Sequence, residues 1–247
     1  MARKVKPPEP ADTIAEIESM GERAIEWVGR NAKTVLSVAV ICLLVAGGYG
    51  YFDSAKKRRE NAASEALSKA RDEYLVAMGA APGALQVPEL ANPAVAEQIR
   101  HEYSERYEAV AHEHPKTAGA AIARLERGNL IAAAGDDAAA IEIWRSAIAG
   151  LSGGSPFAGI LYQRIGQSLE SAGNWETAAE AYETAASIDA YTFRHWAMAE
   201  AARCYLLADR LEKALELSAR LEAEAPGLEM LDYLRARLRE LRVANPG

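Results

Sequence analysis

The stretch Thr34 to Phe52, TVLSVAVICLLVAGGYGYF, holds no charged residue and no Pro, Asn or Gln, and it limits what the rest of the chain can be. As an α-helix it spans about 28 Å, close to the roughly 30 Å hydrocarbon thickness of a bilayer. Arg30 and Lys33 bound it on one side, and Asp53 with Lys56, Lys57, Arg58 and Arg59 on the other. Tyr49, Tyr51 and Phe52 cluster at one end, where aromatic rings favour the headgroup level. A buried core helix of the same composition needs a domain that wraps it on all sides, and no other segment offers one. A cleaved signal peptide has a short basic leader; here the preceding region carries Glu16, Glu18, Glu22 and Glu26. The pattern predicts an uncleaved single membrane span with one soluble domain behind it.

Charge narrows the function. The net charge is −7, and residues 1–52 contain six Lys/Arg against six Asp/Glu, so the acidic excess lies after the span. That argues against nucleic-acid binding, which needs cations to displace phosphate counterions. The basic cluster at 56–59 suits lipid headgroups instead. Cys42 falls within the span and Cys204 in an expected soluble helix, so the two cannot pair within one chain.

Residues 1–33 read as a tail. Pro7, Pro8 and Pro10 break any helix at its start, and Ile14, Ile17, Gly21, Ile25 and Val28 then recur at helical spacing, predicting a short amphipathic helix. After the span at 34–52, Ala62, Ala66, Ala70, Tyr74 and Met78 recur every four residues and predict a helical stalk over 53–78. A Gly- and Pro-rich linker follows at 79–93, and the repeat domain is expected over 94–247. Its first helix, 94–113, stops before Pro115, presents Val95, Ile99, Tyr103, Tyr107 and Val110 on one side, and reads as the second half of a degenerate leading repeat.

Within that domain one pattern returns. Tyr162, Ile165, Gly166 and Leu169 precede a Gly173-Asn174-Trp175 turn, then Ala178, Tyr182 and Ala185. Upstream the series is Gly128, Ile131, Gly135-Asp136, Ala140, Trp144 and Ala147; downstream it is Ala202, Tyr205, Asp209-Arg210, Ala214 and Pro226. The spacing is 38 from Ala140 to Ala178 and 36 from Ala178 to Ala214. This resembles the tetratricopeptide repeat, whose period is about 34 residues. Small residues such as Gly166, Ala178 and Ala185 belong where two antiparallel helices cross, and Gly173 supplies the positive φ that ends the first helix. Leu228, Leu231, Leu234, Leu238 and Leu241 mark a terminal helix covering the last repeat. The expected fold is all-α: an N-terminal single transmembrane helix followed by a tetratricopeptide-like helical-repeat α-solenoid.

No catalytic constellation emerges. His112-Glu113-His114 lacks the spacing that puts two imidazoles on one helix face, Gly153-Gly154 is too short for a phosphate loop, and no Ser or Cys has a nucleophile's motif. No enzyme, metal or cofactor is expected. Stacked helix pairs instead form a concave binding surface lined by first-helix residues. The repeat register puts Leu125, Asn129, Gln163, Gln167, Glu170, Trp196, Arg203 and Leu206 there. Leu125 stands where a carboxylate-clamping repeat has Lys, so a mixed apolar and polar groove for a peptide segment is the expectation.

The whole layout resembles the bacterial YfgM-like membrane-anchored tetratricopeptide proteins, ancillary to the Sec translocon. An acidic amphipathic tail, the Trp27-Val28-Gly29-Arg30-Asn31-Ala32-Lys33 approach to a single span, a stalk, and Glu113-His114-Pro115-Lys116-Thr117-Ala118-Gly119-Ala120-Ala121 before the repeats carry that likeness. It implies a single-pass protein of the bacterial inner membrane, N-terminus cytoplasmic and repeats periplasmic. Its implied partners are Sec translocon subunits, exported client chains or periplasmic chaperones, besides lipid. The charges flanking the span favour the opposite orientation: Lys56 to Arg59 follow it, against Arg30 and Lys33 before it. A membrane-tethered assembly factor for envelope or division machinery, or a cytoplasm-facing scaffold, is the alternative.

Overall fold

The computed structural model describes residues 20–23, 25–81, 84 and 86–244, together with most of their side chains. The expected amphipathic pattern at Ile14 and Ile17 lies outside the described residues. The chain divides into two units, Met1–Arg58 and Arg59–Gly247. Helix α1 runs over Ala32–Ala77. It contains an 18-residue window of mean hydropathy 2.1, none of it buried, and is long and apolar enough to cross a membrane.

The second unit continues with α2 (Pro93–Glu113), α3 (Ala118–Ala133), α4 (Asp137–Ala149), α5 (Pro156–Ser171), α6 (Trp175–Ala186), α7 (Arg194–Leu207), α8 (Leu211–Glu224) and α9 (Glu229–Ala244). From α2 to α8 each helix packs on the next, and α9 lies against both α7 and α8. Local sequence sets the helix starts. Asn92 caps α2, with Pro93 at its first position, where the missing N–H is harmless. Thr117 accepts from Ala120 N–H at 3.1 Å and Asp136 accepts from Ala139 N–H at 3.0 Å.

The helix ends share one device. Gly135, Gly173 and Asp209 all have positive φ, at 91°, 75° and 60°. In each case the next residue's N–H returns to a carbonyl five residues back: Asp136 to Ile131, Asn174 to Leu169, Arg210 to Tyr205. This left-handed stop satisfies orphan carbonyls and reverses the chain into the second helix of each pair. Asp is among the few non-glycine residues that enter this region readily. Asp209 therefore performs in α7/α8 the task that glycine performs in the two earlier pairs, which is why that repeat is faint in sequence.

The pairs α3/α4 and α5/α6 are held by small residues set against large ones. A Cβ on Gly128 would come within 2.1 Å of the Trp144 ring, and one on Gly166 within 2.7 Å of the Tyr182 ring. Trp144 and Tyr182 are buried, at 1% and 2% exposure. Two close-packed helices with an aromatic ring between them leave room only for hydrogen at the facing position. The α7/α8 pair carries Ala202 and Ser218 in this register, both buried.

The repeat-bearing unit starts earlier than position 94. Ala70, Tyr74 and Met78 share a core cluster with Ala96, Tyr103, Tyr107, Val110, Ala111, Ala120, Ala123 and Leu130. The Tyr74 and Tyr103 rings stand 5.4 Å apart, and the carboxylate of Glu60 accepts from Ala118 N–H at 2.9 Å. Residues 59–77 are thus the first helix of a leading pair with α2, where the sequence reading had a stalk. The buried stripe also drifts: Ala63 is buried and Ala62 exposed, and Ala96 is buried while Val95 is 42% exposed. A helix turns in 3.6 residues, so a stripe counted in fours slides off the core within a few turns. Leu234 and Leu238 of α9 are buried against α7 and α8 as the terminal helix requires; the side chains of Leu231 and Leu241 lie outside those described.

Two outcomes follow for stability. Gly166→Leu overpacks against Tyr182 and should cost about 1–3 kcal/mol in chemical denaturation, while the exposed Gln167→Ala should cost under about 0.5 kcal/mol. Gly135→Ala and Gly173→Ala should each destabilise by about 1 kcal/mol, whereas Asp209→Gly should preserve or raise stability. A loss at Asp209→Gly as large as at Gly173→Ala would refute the shared turn.

Candidate protein-binding groove

One face of α5 and one face of α7 border an open groove between them. Two adjoining cavities, of about 500 and 530 Å³, share Gln163, Gln167 and Glu200 in their walls. The first is mostly apolar, formed by Ile160, Tyr191, Phe193 and Trp196 with Arg164 at its edge. The second is polar, formed by Glu170, Ser171, Trp175, Tyr182 and Arg203. Helical spacing accounts for this composition. Ile160, Gln163, Gln167 and Glu170 follow one face of α5, and Trp196, Glu200 and Arg203 one face of α7.

The apolar end is exposed to an unusual degree. Phe193, Trp196 and Ile160 are 57%, 42% and 38% exposed. Tyr191 is buried beneath them, its ring pressed on Gly159, and its hydroxyl donates to Gln163 Oε1. Contiguous exposed aromatic and aliphatic surface rimmed by polar groups marks an interaction site more often than scattered single residues do.

The polar end is a closed ionic network. Arg203 donates to Glu170 at 2.6 Å and to Glu200 at 2.7 Å. Glu170 also accepts from the Tyr182 hydroxyl at 3.1 Å and lies 3.8 Å from the Cys204 sulfur, so one carboxylate ties α5 to α6 and α7. Burial opposes the charge on Arg203, but its bonds to the two glutamates outweigh that and hold the guanidinium above its ordinary value. Burial pushes the Cys204 thiol up to about 12, with Arg203 opposing and the nearby glutamates adding to the rise. Burial and then Glu170 likewise raise the Tyr182 phenol. A thiol and a phenol held protonated in this way are structural donors and poor nucleophiles. Among the described residues, no group of three or more His, Cys, Asp or Glu is arranged to hold a metal ion.

Five of the eight residues expected on the binding face meet here: Gln163, Gln167, Glu170, Trp196 and Arg203. The other three are elsewhere. Leu125 packs on the cluster around Trp144, whose indole N–H donates to the Leu125 carbonyl at 3.2 Å. Asn129 donates to Glu126 at 3.3 Å, and Leu206 packs against the core around Tyr205. Ile160, Arg164, Tyr191, Phe193 and Glu200 join the groove without having been expected. Ile160, Arg164 and Glu200 were within reach of the same helical spacing. Tyr191 and Phe193 sit before α7 in an irregular segment, where no periodicity points inward.

Searches of protein-family profiles and of curated proteins return no match for this chain. Among solved structures, it is similar to a Podospora anserina protein assigned as a kinesin light chain with nearly identical TPR-like repeats. The identity is 19%, the TM-score 0.47, and the alignment covers 61% of this chain and 82% of that one. A single-substitution variant of the same protein matches with the same TM-score and identity.

Proposed function

We propose that this chain is a non-catalytic, membrane-anchored scaffold whose α5/α7 groove holds segments of other proteins. The observation that carries the reading is the uncovered Ile160, Phe193 and Trp196 surface beside the Gln163 and Gln167 amides. Apolar anchors supply affinity, and amides satisfy the backbone of a bound segment. The span at Thr34–Phe52 is the anchor, in the bacterial inner membrane, with the tail cytoplasmic and the repeats periplasmic. In that setting the protein serves as an ancillary subunit of the Sec translocon, and its clients are exported chains or periplasmic chaperones. The likeness to YfgM-like proteins supports this placement. The basic run Lys56 to Arg59 favours a second reading, a cytoplasm-facing scaffold for envelope or division machinery.

Orientation separates the two. A cysteine placed at Glu142, whose side chain is 71% exposed, should react with a membrane-impermeant maleimide in intact spheroplasts. Protection until the membrane is lysed supports the second reading and overturns the first. Replacing Thr34–Phe52 by an unrelated polyleucine span should abolish co-purification with translocon subunits; unchanged co-purification removes the span from docking.

A further inference from the structure

The hydrogen bonds inside the groove leave it with a specific chemical bias. Gln163 Oε1 is taken by the Tyr191 hydroxyl, and Gln167 Oε1 accepts from Arg164 Nη1 at 3.0 Å. Each amide oxygen thus already accepts one hydrogen bond, while the two side-chain NH2 groups make none among the described residues. Charge follows the same division. Arg203 is shared between two carboxylates, which leaves that end with a net negative charge. Arg164 is exposed, and no carboxylate lies within 4 Å of it among the described residues. It lines the same cavity as Ile160, Phe193 and Trp196. The apolar end thus presents two unused amide NH2 groups and a guanidinium with no carboxylate within 4 Å among the described residues, Glu200 stands in the wall that both ends share, and the far end repels anions.

Resting on the reading of this groove as a protein-binding site, we propose that its ligand is a peptide segment carrying an aromatic or large aliphatic anchor next to an Asp or Glu. The anchor lies among Ile160, Phe193 and Trp196. The carboxylate pairs with Arg164, and the Gln163 and Gln167 amino groups donate to carbonyls of the segment. A guanidinium accepts a carboxylate through two parallel bonds, which makes the preference geometric as well as electrostatic. The negative Glu170/Glu200 end excludes a second acidic residue there and so sets the direction in which the segment lies.

The full-length chain in lipid nanodiscs provides the test. Three fluorescent Gly/Ser peptides, each with one Phe flanked by Asp, Asn or Lys, are titrated and followed by anisotropy. The Asp peptide should bind roughly tenfold tighter than the Asn peptide, the step expected of one desolvated charge pair. Arg164→Gln should erase that advantage and Arg164→Glu should transfer it to the Lys peptide, while Trp196→Ala weakens all three. Binding that depends on Trp196 but ignores peptide charge overturns the acidic preference and leaves the protein-binding groove standing. Absence of any Trp196-dependent binding overturns both. A fall in particle mass with Trp196→Ala, without peptide binding, assigns the groove to a second copy of this chain and also overturns the proposal.

Discussion

Hydrogen facing an aromatic ring is the contact on which the repeat architecture depends. At Gly128 against Trp144 and Gly166 against Tyr182, two helix backbones approach to a distance that no side chain permits. Each ring then reaches across its pair: the Trp144 indole bonds the Leu125 carbonyl, and the Tyr182 hydroxyl bonds Glu170. Close approach fixes the antiparallel pair, and the pair fixes which residues are left to face outward. The groove is a consequence. Its walls are the faces of α5 and α7 that the pairing with α6 and α8 does not use.

Glu170 connects packing to function. It receives Tyr182 from within its own repeat and Arg203 from the next, so the spacing between α5 and α7 is held by charge as well as by apolar contact. Similar bridges join neighbouring pairs elsewhere. Glu176 meets Arg210 with two bonds of 2.9 Å, and Tyr205 donates to Glu183 at 2.8 Å. A groove whose walls are cross-linked in this manner changes little on binding and loses little entropy there. Arg164, which bonds Gln167 but no carboxylate among the described residues, and the apolar trio lie outside this network and are available to a partner.

The sequence disclosed the helix pairs because their constraints are local: a turn needing positive φ, and a small residue at a fixed distance from a large one. It disclosed the α7/α8 pair less well, since Asp209 replaces glycine at the turn and Ala202 with Ser218 replaces the glycine–aromatic contrast. The first half of the leading pair was hidden for another reason. The pair's two helices are separated by the Gly- and Pro-rich segment 79–93, and the apolar stripe of α1 continues out of a strongly hydrophobic run, so residues 59–77 read as a stalk. For the site, position along a helix was legible and environment was not. Leu125 sits at the register position of Gln163, yet it is drawn toward the Trp144 core. Phe193 contributes from a segment with no repeating pattern at all.

The central claim is that partner proteins are held between α5 and α7. A photo-crosslinking amino acid introduced at Gln167, in the groove, and separately at Glu180, exposed on α6 outside it, tests this in native membranes. The account predicts protein adducts from position 167, lost when Trp196→Ala is added, and none above background from position 180. Equal adducts from both positions, or adducts at 167 that persist with Trp196→Ala, would contradict it.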